Sequence, residues 1–272
     1  MKIYIPTMGR PNKQITIESF SDDLLKKTTL CVTSEEYNAY KKLGINLIKF
    51  PMYVHGISAK RQWLFENIKE KFICFMDDDL QFSVRHDGIK LQNAGADDVD
   101  DLLSLWKSWL KSGIPLVGVS LRGGNNHVEE DYHDIGRIMS CYAFDREIFM
   151  KENIRFDRVP LMQDFDMTLQ ILKAGYIDRI SYKYAHHQAG GSNAKGGCST
   201  YRTPELIRDT AIKMSKLHPG IVTIQAKKSK TTWSGMEKKK GIDGTVRTDV
   251  NVHWKKAYHP RTRKENGITK FL

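Results

Sequence analysis

Three consecutive aspartates, Asp77, Asp78 and Asp79, follow the apolar run FICFM with no turn residue between. Side by side they repel one another, and burying even one unpaired carboxylate is costly. A cation offsets that cost. Mg2+ and Mn2+ suit such a cluster, because hard cations take oxygen ligands and often share them with substrate phosphates. Alternate residues of an extended turn point the same way, so Asp77 and Asp79 are expected to face one site together. Thr7 and Arg10, just after the first apolar segment, are expected at the same edge of the molecule.

That expectation depends on the elements that carry these residues. MKIYIPTM, TTLCVTS, INLIKFP and FICFM read as strands, with NKQITIESF, EEYNAYKKLG and SAKRQWLFENIKEK as helices between them. Strands alternating with helices predict an α/β fold built on a mainly parallel sheet flanked by helices. In such a sheet ligands bind beyond the carboxyl ends of the strands, where the triplet lies. Further on, DDVDDLLSLWKSWLKSG is an amphipathic helix with an acidic start, and IPLVGVSL, RIMSCYAFD and DRISYKYAHHQ are strands. FDMTLQILKAGY and TPELIRDTAIKMSKLHPG are helices closed by glycine. Beyond about residue 222 no periodicity stands out, and basic loops with short strands are expected. GGSNAKGG lacks the P-loop spacing, which argues against an ATPase.

Composition is that of a soluble globular chain, and 272 residues suffice for a large core. No apolar run approaches the roughly 18 residues of a membrane span, and MKIYIPTMGR does not read as a signal peptide. Cys31, Cys74, Cys141 and Cys198 are widely spaced, so free thiols in a reducing cytoplasm are expected. The net charge of +11 is confined to one place: residues 201–272 hold 17 Lys and Arg against 6 Asp and Glu. A basic segment with interleaved Trp233, Trp254 and Tyr258 suits a polyanion, most obviously nucleic acid. A solvated lysine-rich tail is the plainer alternative.

The order of IPTMGRP, GISAKRQW, FMDDDL, MQDFDM and YAHHQ over residues 1–200 resembles a nucleotide-sugar glycosyltransferase of the GT-A fold. The small size and basic extension look most like the phage TET-associated glycosyltransferases. The resemblance implies a GT-A domain over 1–200 and a DNA-contacting basic helix and extension over 201–272. It implies a UDP-sugar donor, Mn2+ or Mg2+, and an acceptor hydroxyl on a hydroxymethylated pyrimidine such as 5-hydroxymethylcytosine in DNA. It also implies a cytoplasmic setting, that of the host if the source is a phage. Asp79 and Asp77 match the metal-holding positions, Asp78 the ribose contact, and Thr7, Arg10 and Arg61 the donor contacts, with Lys195 on a lid over the phosphates. His187, or else His186, matches a late metal-ligating histidine, and imidazole beside carboxylates suits Mn2+. Asp164 matches the general base of inverting enzymes, with Asp166 in reserve, although Gln163-Asp164 stands where Glu-Asp is common. The helix N-terminus is expected to lower the pKa of that base.

On the acceptor side, RGGNNHVEEDYHDIGR offers Arg122, Asn125 and Asn126. Lys227, Lys228, Lys238, Lys239, Lys240, Lys255, Lys256, Arg261 and Arg263 are candidates for phosphate contacts. Two other functions compete: a GT-A enzyme acting on polysaccharide or protein, and a non-enzymatic nucleic-acid-binding protein. The first would show no salt-sensitive DNA binding. The second would bind DNA independently of metal and UDP.

Overall fold

Short β-branched and aromatic runs, each bounded by a polar stretch, become the strands of one mixed ten-stranded sheet in the computed structural model. It describes residues 1–125, 128–189, 195–229, 236, 245–265 and 268–271, without the side chains of 229, 262–265 and 268–271. The chain begins β1 (Lys2–Pro6), α1 (Ile15–Glu18), α2 (Asp22–Lys27), β2 (Thr28–Val32), α3 (Tyr37–Lys41), β3 (Asn46–Lys49), α4 (Gly56–Asn67) and β4 (Phe72–Met76). It continues through β5 (Leu80–Val84), β6 (Gln92–Asn93), α5 (Ala96–Lys111), β7 (Leu116–Leu121), β8 (Tyr132–Asp134), β9 (Cys141–Asp145), α6 (Arg146–Lys151), α7 (Gln163–Lys173) and β10 (Asp178–Gln188). The tail adds α8 (Pro204–Leu217), β11 (Val222–Ser229), β12 (Thr245–Val252), α9 (Trp254–Ala257), β13 (Thr262–Glu265) and β14 (Ile268–Phe271).

Strand order is β3-β2-β1-β4-β9-β7-β10-β5-β6, with β8 also on β10. The first four strands pair in parallel, as their helical crossovers require. β9 enters antiparallel between β4 and β7, while β10 runs parallel to β7 and antiparallel to β5. β4 is thus central and covered on both faces, which is why FICFM reads as a continuous apolar run. The strand directly after the triplet, β5, escaped the sequence reading, although Leu80, Phe82 and Val84 alternate inward.

Apolar clusters fill both sides of the sheet. On one side α5 lays down Val99, Leu102, Leu103, Trp106 and Leu110, and each fully buried leucine of such a stripe contributes about 1.5–3 kcal/mol. On the other, Phe65 of α4 and Phe149 of α6 interlock with Phe75, Tyr142, Phe144 and Phe156 through tilted, edge and stacked contacts. All four cysteines are free. No helix of the described residues is long and apolar enough to cross a membrane.

The tail is more ordered than its sequence suggests. β11 and β12 pair antiparallel over eight residues each, from Val222–Val252 to Ser229–Thr245. A third cluster joins Leu169 and Leu172 of α7 to Ala211 and Met214 of α8, Val222 and Val250 of the hairpin, and Ala257. The chain then crosses Gly175, whose φ is +86°, and a Cβ there would stand 2.7 Å from the His259 carbonyl oxygen. Arg261 closes this crossing: Nε donates to the Ala174 carbonyl at 2.8 Å, Nη2 meets Glu152 at 2.5 Å, and the guanidinium lies 3.8 Å from the Tyr176 ring centre. Arg261, expected to contact phosphate, thus also serves as a structural clamp.

Candidate active site

β1 and β4 are parallel neighbours, so the turns leaving their carboxyl ends open onto the same cavity, of about 1030 Å3. Asp77, Asp78, Asp79, Thr7 and Arg10 all line it. The Thr7 hydroxyl donates to Asp78 and lies 3.0 Å from the Tyr40 hydroxyl, while Gln14 donates to it at 2.9 Å. Arg10 Nη1 meets Asp78 at 2.5 Å and Asp79 at 3.0 Å. Asp77 accepts from Arg61 at 2.7 Å, and the Arg61 guanidinium is fully buried 5.2 Å from the Tyr142 ring centre. Gln188 Nε2 stands 3.4 Å from both Asp77 and Asp79. Two arginines do not satisfy three carboxylates. Burial first, then Asp77 and Asp78, push the Asp79 carboxyl up to about 7 against the pull of Arg10, and burial also raises Asp78.

That imbalance is the test of fit for a divalent cation. Asp77 and Asp79 supply hard oxygens, and a cation would offset the repulsion that raises Asp79. Among the described residues no three His, Cys, Asp or Glu side chains converge as a cage. The donor set therefore suits the mode in which one or two carboxylates are completed by substrate phosphate oxygens.

Asp164 reaches the same cavity from the first turn of α7. The preceding Met162 holds the left-handed conformation, φ 57° and ψ 25°, which costs of order 1–3 kcal/mol in a non-glycine residue. This backbone aims the helix start at the cavity. Burial raises the Asp164 pKa, with Arg61 and Arg137 pulling the other way. The expected lowering by the helix terminus is overturned, since desolvation outweighs it. Asp166 is excluded as a reserve base. It is completely buried and bonded to His218 at 2.7 Å, Arg158 at 3.1 Å and Gln170 at 2.9 Å.

The histidines do not join the aspartates. Adjacent strand residues face opposite ways, and Gln188 faces the triplet, so His187 points to the other side of β10. His186 shares the Gln188 face but is wholly buried one pair further in, and burial pushes its pKa down to about 4. Neither lines the cavity.

Lys195 is exposed, and its carbonyl accepts from Arg10 Nε at 2.7 Å. Next to it, Gly196 packs so closely that a Cβ would stand 2.6 Å from the Met8 carbonyl oxygen. Arg122 bonds Ser83 and Asn93 outside the cavity, and Asn125 is buried in bonds to Ser120, Tyr182 and Arg85. Lys227, Lys228, Lys255 and Lys256 are exposed on the tail. Asn126, Trp233, Lys238, Lys239 and Lys240, and the side chain of Arg263, lie outside the described residues.

Several lining residues carried no motif. Arg137, Arg202, Arg247, Thr248 and Asp249 also line the cavity, and Tyr201 anchors the turn at 197–200 by accepting from the Ile57 N–H at 3.1 Å. Gln188 was within reach of strand alternation. The alternation of Val246, Val250 and Val252 would have revealed β12.

Residues 1–197 match the profile of a family described as TET-Associated Glycosyltransferase. No curated protein matches the chain. Among solved structures it is similar to glucosyl-3-phosphoglycerate synthase from Mycobacterium tuberculosis in complex with Mn2+, uridine diphosphate and phosphoglyceric acid. The TM-score is 0.51 at 13% identity, over 83% of this chain and 82% of that one. It is also similar to residues 1–349 of S. aureus TarS, with a TM-score of 0.47 at 12% identity over 79% of this chain. The match spans 66% of that TarS chain, slightly under two thirds. At such identities the likeness is one of fold.

Proposed function

Because the chain belongs to the TET-associated glycosyltransferase family, we propose that it moves a sugar from a UDP-sugar to the hydroxymethyl group of a modified pyrimidine in DNA, with inversion. One observation carries the reading: an overcrowded acidic triplet and a separate buried carboxylate, Asp164, face one cavity. Asp79 and Asp77 would hold Mn2+ or Mg2+, with Thr7, Arg10, Asp78 and Arg61 at the donor end and Lys195 beside it. The metal would supply positive charge for the departing diphosphate. Asp164 takes the proton of the acceptor hydroxyl as that oxygen bonds to the anomeric carbon and the sugar–phosphate bond breaks. Burial makes Asp164 a stronger proton acceptor than an ordinary carboxylate, which suits this role.

The DNA acceptor is supported by the charge, which lies wholly in 201–272, and by the exposure of Lys227, Lys228, Lys255 and Lys256 there. Residues 1–200 would form the catalytic unit and 201–272 the DNA-contacting part. A hydroxymethyl at C5 projects into the major groove, and enclosing it beside Asp164 would require flipping the base.

Mass spectrometry of nucleosides tests this directly. DNA containing 5-hydroxymethylcytosine is incubated with the protein, Mn2+ and a panel of UDP-sugars. A hexose- or pentose-sized gain on the modified base, absent from unmodified DNA and with Asp79→Ala, is expected. UDP release with glycans but no gain on DNA would move the acceptor to polysaccharide.

A further inference from the structure

The cavity holds a second crowd of like charges, opposite in sign to the first. Arg137 precedes β9, Arg202 precedes α8 and Arg247 lies on β12, yet all three line the cavity that Asp164 faces, and Arg137 feels the Asp164 charge directly. Arg247 is bonded to Asp249 at 2.7 Å. Burial lowers the pKa of Arg137 and of Arg202, and the charge of Arg247 acts on both in the same direction. Asp164 and Asp249 act on Arg137 more strongly than Arg247 does, so the cluster is a mixed one, in which three chain segments bring three guanidiniums to one cavity beside two carboxylates. Beside them the Phe165 ring, next in sequence to Asp164, is held 4.5 Å from the Arg137 guanidinium and edge-on to Trp254 at 5.6 Å.

We infer that Arg137, Arg202 and Arg247 form a subsite for a phosphodiester of the acceptor strand, next to the nucleotide that receives the sugar. This rests on the DNA-acceptor reading of the same cavity. Guanidiniums are suited to phosphate oxygens, and an aromatic face beside them accepts a base. The donor diphosphate is the rival source of the same chemistry, and the two probes below distinguish them. Lys227 lies directly across the hairpin from Arg247, so the two share a face and continue the cationic surface outward.

The test is equilibrium binding by the full chain of two probes, as a function of KCl: a short fluorescein-labelled duplex with one 5-hydroxymethylcytosine, and UDP with Mn2+. Arg247→Gln is expected to weaken duplex binding about five- to tenfold and to lower its log–log salt slope by about one, leaving UDP affinity unchanged. Arg202→Gln, on a different element, should show the same pattern. Arg247→Lys keeps the charge and should recover most of the affinity. Weakened UDP binding with intact duplex binding would assign the cluster to the donor and overturn the inference. So would equal losses in Arg247→Gln and Arg247→Lys, which would mark a structural role through Asp249. Wild-type duplex binding with unchanged variants would sink the subsite alone. Wild-type UDP binding without any duplex binding would sink the DNA-acceptor reading and the subsite with it.

Discussion

Asp79 and Asp164 are both buried carboxylates with raised pKa values, and the surroundings give them different tasks. Asp79 is crowded by two neighbouring aspartates, so neutralising it relieves repulsion. Asp79→Asn is therefore expected to raise the melting temperature of the metal-free protein, to abolish any thermal shift caused by Mn2+, and to reduce transfer at least about 100-fold. A thermal-shift titration read beside the nucleoside assay checks all three. Asp164 is less crowded, since Arg61 and Arg137 act on it more strongly than the like charge of Asp77 does. Asp164→Asn should lose transfer by about 100-fold or more with near-wild-type stability and UDP binding. Asp166→Asn should do the reverse. It removes the charge that His218 and Arg158 share, at about 3 kcal/mol or roughly 5–10 °C, while residual folded enzyme keeps its turnover. Equal turnover losses in the two variants would contradict this division of roles.

At the scale of elements, legibility followed local patterning. FICFM, the four-strand alternation and the α5 stripe were readable because each element repeats its own burial rule over several residues. The acidic triplet was readable because three like charges after a strand have few purposes. What failed was non-local. Asp166 looks as available as Asp164 until α8 delivers His218 to it, and His187 looks like a ligand until the strand register turns it away. Arg137, Arg202 and Arg247 become one cluster only through tertiary packing. The same packing buries Asp178 at the start of β10, where it accepts from the Gly136 N–H at 3.1 Å and burial raises its pKa to about 7. Its native pKa lies above the ordinary value of about 3.9, so the folded state binds the proton more tightly. That contribution is fully present below pH 4 and is lost as pH rises to about 7. Asp178→Asn should accordingly gain a few degrees over wild type at pH 8 and little or nothing near pH 4, as melting curves across that range would show.

The whole molecule couples its charge to its core. All of the +11 sits in residues 201–272, yet Ala211, Met214, Val222, Val250 and Ala257 of that segment pack on Leu169 and Leu172, the helix that presents Asp164. Deleting residues 221–272 would uncover several such side chains at about 1.5–3 kcal/mol each, against a total stability of about 5–15 kcal/mol. The truncated chain should therefore melt at least about 10 °C lower or fail to stay soluble, and lose UDP binding along with DNA binding. A detachable DNA-binding appendage would instead leave melting and UDP affinity untouched. Replacing Lys227, Lys228, Lys255 and Lys256 together by Gln separates the two contributions, because all four are exposed. That variant should melt like the wild type and bind UDP normally. Its duplex affinity should lose salt dependence by about one unit of slope for each lysine that meets a phosphate. If instead its duplex affinity and slope match the wild type, the tail's charge is merely solvated, and its place in the molecule is to hold α7 and the cavity wall.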